Sequence, residues 1–68
     1  MISQAQLITF NPATYTAVIK PDGSAQSYLE GVTVAKNIPA AEMLPGRSLA
    51  VLFFDRYRAA EAVIIAVW

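Results

Sequence analysis

Two runs near the end of the chain, Ser48-Leu49-Ala50-Val51-Leu52-Phe53-Phe54 and Ala62-Val63-Ile64-Ile65-Ala66-Val67-Trp68, read as β-strands that are apolar on both faces. A strand with one face in water alternates apolar and polar residues, so a continuous run needs cover on both sides. In a chain of 68 residues there is little else to supply that cover. One face of each strand can fill a core. The other is expected to meet a second copy of the chain or a larger assembly, which points to a structural subunit.

Length and composition sharpen this expectation. A domain of this size buries only about 60% of the surface that its unfolded chain exposes, and small domains make up the deficit with disulfides, metals or association. The sequence has no Cys and no His, so disulfides are closed to it and a structural zinc site is not expected. Apolar residues make up 56% of the chain, above the roughly 45–50% usual for soluble domains. Five basic and five acidic residues cancel. Copies therefore do not repel one another, and the basic field that nucleic-acid binding relies on is missing. The first residues lack a basic segment followed by an apolar one, so no signal peptide is expected. The longest apolar run, seven residues, is far short of the ~20 of a membrane-spanning helix, so no membrane partner is expected.

Residues 4–10 are rich in β-formers and end at the turn sequence Asn11-Pro12-Ala13-Thr14. Residues 14–20 alternate, with Tyr15, Ala17 and Ile19 on one face and Thr14, Thr16, Val18 and Lys20 on the other, before a turn at Pro21-Asp22-Gly23-Ser24. A third strand is predicted over residues 28–35; Gly31 inside it suggests a bulge or sharp bend, the alternative being a plain loop glycine. Pro39-Ala40-Ala41-Glu42-Met43-Leu44 fits one helical turn, stopped by Pro45-Gly46, with Met43 or Leu44 as an apolar plug.

The order strand, strand, strand, short helix, strand, strand predicts an all-β chain, a single domain over residues 1–68. Its expected form is a small five-stranded OB-like barrel with one short helical turn between strands 3 and 4. An SH3-like barrel is the second choice. Strand four then offers Leu49, Val51 and Phe53 against Ala50, Leu52 and Phe54; strand five offers Val63, Ile65 and Val67 against Ala62, Ile64, Ala66 and Trp68. The set left outside the barrel, and so the expected oligomer interface, is Leu52, Phe54, Ile64 and Trp68, in a ring or trimer.

No catalytic constellation is visible. The usual imidazole and thiol groups are absent, the serines have no evident activating partner, and Asp22, Glu30, Glu42, Asp55 and Glu61 are spread through separate elements. No enzyme activity, cofactor or metal is expected. An OB module can bind single-stranded nucleic acid by aromatic stacking and a basic groove. Here Tyr15 and Tyr28 would be the stacking pair, with Arg56, Tyr57 and Arg58 in the loop between strands 4 and 5. Asp55 and Glu61 flank that loop and the charges cancel, so nucleic acid is a secondary expectation.

At Ile19-Lys20-Pro21-Asp22-Gly23, at Leu29-Glu30-Gly31-Val32-Thr33-Val34-Ala35 and at Leu44-Pro45-Gly46-Arg47 with the strand that follows, the chain resembles small OB-like barrels of bacteriophage virion proteins. These are best known in tail baseplate hub, spike and assembly proteins. Arg47 departs from the pattern, in which an acidic residue commonly follows Pro-Gly, and the β-helical region of spike proteins is not seen in this sequence. The resemblance implies a non-enzymatic virion subunit, made in the bacterial cytoplasm, that forms a homo-oligomer or bridges other virion structural proteins. A tail, neck, baseplate or capsid-decorating role fits equally. The alternatives are a single-stranded nucleic-acid-binding module and a small bacterial regulatory or toxin-related protein.

Overall fold

Residues 2–11 contain neither Gly nor Pro, and with nothing to break it the strand runs on for ten residues. The computed structural model describes residues 2–22, 28–54 and 61–68. Among these the strands are β1 (Ile2–Asn11), β2 (Thr16–Pro21), β3 (Leu29–Val34), β4 (Ser48–Phe53) and β5 (Ala62–Val67), with one 3₁₀ turn at Ala40–Glu42. They close into a barrel in the order β1-β2-β3-β5-β4, β4 pairing back onto β1. Every pair is antiparallel except β3 with β5. This is the predicted OB-like barrel, with the helical turn between β3 and β4.

The length of β1 lets it serve two neighbours, pairing with β2 from Ala5 onward and with β4 up to Gln6. Between Leu7 and Thr9 the register with β2 slips by one residue, a bulge at Ile8 that bends the strand where it passes from one partner to the other. A second bulge lies in β3. Ala17 faces Val32 and Ile19 faces Leu29, so two steps along β2 match three along β3. Gly31 takes up the difference at φ 68°, left-handed backbone that costs side-chain-bearing residues about 1–2 kcal/mol. A Cβ there would meet nothing within 4 Å, so the demand for glycine comes from the backbone and not from crowding.

The turn between β1 and β2 explains why β2 begins at Thr16, two residues later than predicted. The Asn11 side-chain oxygen accepts a hydrogen bond from the Ala13 amide at 3.0 Å, and Tyr15 holds φ 54°. Extended backbone therefore resumes only after Tyr15. Beyond β3, Met43 and Ile38 enter the core and close one end of the barrel, while Leu44 stays exposed. The chain then reverses at Leu44-Pro45-Gly46-Arg47: the Arg47 amide donates to the Leu44 carbonyl at 3.2 Å and Gly46 has φ 93°, the arrangement of a type II turn with Pro and Gly at its two central positions.

The core is wholly apolar among the described residues, built from Leu7, Ile19, Val32, Val34, Leu49 and Val51 with smaller neighbours. Burying each such side chain contributes about 1.5–3 kcal/mol. The two strands that are apolar on both faces lie side by side, as expected, with Leu49, Val51 and Phe53 turned inward. On β5 one assignment is corrected. Ile64, expected at the outer surface, is 0% exposed and belongs to the core, whereas Ile65 is 39% exposed. The cause is a third bulge: Val51 faces Ile64 and Ala50 faces Ala66, leaving Ile65 without a counterpart on β4. Alternation restarts beyond it. Ala62, Ile64 and Val67 therefore pack inward, and Val63, Ala66 and Trp68 fall on the outside.

Candidate protein-docking face

The outer surface of β1, β4 and β5 is built in rows set by cross-strand pairing. In the first row Ile2 of β1 lies opposite Leu52 of β4, which lies opposite Val63 of β5. In the second, Gln4 lies opposite Ala50 and Ala50 opposite Ala66. In the third, Gln6 lies opposite Ser48, which exchanges two backbone hydrogen bonds with Trp68, at 3.0 and 3.3 Å. Phe54, just beyond the end of β4, stands one row further along the strands, its amide donating to the Glu61 carbonyl at 2.7 Å, which sets it beside that acidic residue.

Phe54 is 69% exposed, Ile2 64% and Trp68 60%. With Ile65 they are four of the six large apolar side chains that stand exposed among the described residues, the others being Tyr28 and Leu44. No charged residue occupies any of the three rows. Of the described charges, Glu61 borders the face beside Phe54; the others are Lys20 on β2, Asp22 after β2, Glu30 on β3, Lys36 after β3, and Arg47 paired with Glu42 at 2.9 Å beside the turn into β4. That ion pair is exposed and contributes little to stability, ~1 kcal/mol at most. Several large apolar side chains exposed on one face, where soluble surfaces usually scatter them singly, are the kind of feature that marks a docking site.

Of the interface residues expected from sequence, Leu52, Phe54 and Trp68 share this face and Ile64 does not. Ile2, Val63 and Ile65 were missed. Ile2 joins because β1 reaches as far as the Leu52 row, and the two β5 residues because of the bulge, which no local sequence signal announces.

Tyr15 and Tyr28, the stacking pair of the nucleic-acid alternative, are not brought together. Tyr15 precedes Thr16, which faces Thr33; Tyr28 precedes Leu29, which faces Ile19, so the two rings lie at opposite ends of the β2–β3 ladder. Tyr15 is also engaged. Its ring packs edge-on against Phe10 at 5.2 Å between centroids, its hydroxyl donates to the Ile38 carbonyl, and its own carbonyl accepts from the Val34 amide at 2.9 Å. It works as a strut at the barrel end. Arg56, Tyr57 and Arg58 lie outside the described residues. Beside Tyr15 a shallow depression of about 330 Å³ is lined by Pro12, Ala13, Thr14 and Lys36. The neighbouring Thr14 and Thr16 hydroxyls are already bonded to each other at 2.8 Å.

Among the described residues no three acidic side chains come together as a metal site would require, and no helix is long and apolar enough to cross a membrane. The chain matches no family model, no curated protein and no solved structure.

Proposed function

We propose that this chain is a non-enzymatic structural subunit of a bacteriophage particle, a tail, neck, baseplate or capsid-decorating component, that associates with copies of itself through the outer face of β1, β4 and β5. The observation that carries the docking part is the concentration of Ile2, Leu52, Phe54, Ile65 and Trp68 on one face of a barrel whose interior is already filled. At about 25 cal/mol per Å², covering several hundred Å² of such surface is worth many kcal/mol before the cost of association is subtracted. Zero net charge removes the repulsion that would oppose it. The virion context rests on the sequence resemblance around Pro21-Asp22-Gly23, Gly31 and Pro45-Gly46.

Two measurements test the two parts. Sedimentation equilibrium at roughly tens of micromolar should give a mass above that of one chain, and Phe54→Ser or Trp68→Ser should lower it; a monodisperse monomer overturns self-association. Peptide mass spectrometry of purified particles from the encoding phage or lysogen should find the chain at stoichiometric abundance. Its absence there overturns the virion role.

A further inference from the structure

We propose that residues 36–45 form a strap that swings away from the end of the barrel as one unit, with the five strands still closed beneath it. Both ends of this segment are pinned to the sheet by backbone hydrogen bonds. At one end the Ala35 amide donates to the Ile64 carbonyl at 3.0 Å. At the other the Gly46 amide donates to the Leu7 carbonyl at 2.8 Å, and the Leu7 amide donates to the Arg47 carbonyl at 2.9 Å. Between these pins the chain belongs to no strand.

The backbone hydrogen bonds within the strap are local. The amides of Ile38, Glu42, Met43 and Leu44 donate to the carbonyls of Ala35, Pro39, Ala40 and Glu42, each two or three residues back. Among the described residues, one hydrogen bond joins the strap to a distant part of the chain, from the Tyr15 hydroxyl to the Ile38 carbonyl. Beyond that, two buried side chains hold it down, Ile38 and Met43. A segment with few buried side chains, short-range hydrogen bonds and no place in a sheet is the kind that opens at a lower cost than global unfolding. Opening breaks the Tyr15 bond and withdraws both plugs, yet leaves every strand pairing of the barrel intact. Tyr15 stays with the barrel through the Phe10 ring and the Val34 amide, so its hydroxyl is the catch.

Amide hydrogen exchange of the dilute protein, followed residue by residue, tests this. Ile38, Glu42, Met43 and Leu44 should share one opening equilibrium, at least about tenfold more populated than that of amides inside the β1–β4 ladder and less sensitive to urea. Two substitutions separate the two openings. Tyr15→Phe, which removes the catch, should speed exchange of the four strap amides about fivefold. Ile19→Val lies at the far end of the β2–β3 ladder from Tyr15 and weakens only the closed barrel. It should speed the ladder amides about fivefold and leave the strap amides unchanged. Hydrogen peroxide gives a second readout, because it can pass one oxygen to the Met43 sulfur, itself leaving as water, only while the plug is out. Met43 oxidation, read by peptide mass spectrometry, should quicken in Tyr15→Phe and not in Ile19→Val. Strap amides that exchange only together with the ladder amides, that quicken equally in Ile19→Val, or that open at four unrelated rates overturn the proposal.

Discussion

Val51 faces Ile64 across the β4–β5 ladder, while Ala50, one residue back on β4, faces Ala66, two residues on along β5. That single mismatch decides which side of β5 is core. Ile64, at 0% exposure, completes the interior beside Val51, and Ile65 is left at the surface. Truncation should therefore separate the two neighbours sharply. Ile64→Ala should cost about 2–5 kcal/mol by emptying a filled core site, and Ile65→Ala should change stability by less than about 0.5 kcal/mol in the dilute protein. Urea unfolding of both variants checks this, and equal losses would place the bulge elsewhere.

Gly31 should be replaceable only at a cost that tracks tolerance of left-handed backbone. Gly31→Val should lose more than about 1–2 kcal/mol, and Gly31→Asn less than Val, because Asn is the side chain that best accepts positive φ. Since there is open space around the position, crowding cannot produce that ranking. Thermal melts followed by circular dichroism would reveal it; a Val variant as stable as the parent would show that β3 can bend without this conformation.

Met43 and Leu44 are adjacent but play opposite parts, one buried at the end of the barrel and the other exposed. Met43→Ala should destabilise by about 2–5 kcal/mol and Leu44→Ser by less than about 0.5 kcal/mol. Comparable effects from the two in chemical denaturation would mean that the 3₁₀ turn does not plug the barrel.

Tyr15→Phe keeps the ring contact with Phe10 and removes only the hydroxyl that donates to the Ile38 carbonyl. The expected loss is about 1 kcal/mol, the net worth of one hydrogen bond. Binding of labelled single-stranded DNA or RNA should be weak and change little with salt, because the charges are balanced. Submicromolar binding that collapses with salt, and with loss of Arg56 and Arg58, would instead promote the nucleic-acid alternative.

Much of the barrel could be read in the chain, because its signals are local. Pro45-Gly46 stops the helical turn, Gly31 suggests a bulge or bend within a strand, and the alternation around Ala17 and Ile19 separates inside from outside without reference to any neighbour. The apolar character of β4 and β5 on both faces likewise required a second surface to be covered, and Leu52, Phe54 and Trp68 were found on it. What only the tertiary structure decided was parity and pairing. Side chains repeat every two residues along a strand, so one bulge inverts every assignment beyond it, and whether β5 bulges at Ile65 depends on how it must bend to meet β3 on one side and β4 on the other. Ile2 came to the docking face for the same reason: its neighbour Leu52 is fifty residues away in sequence, and only closure of the barrel sets them side by side.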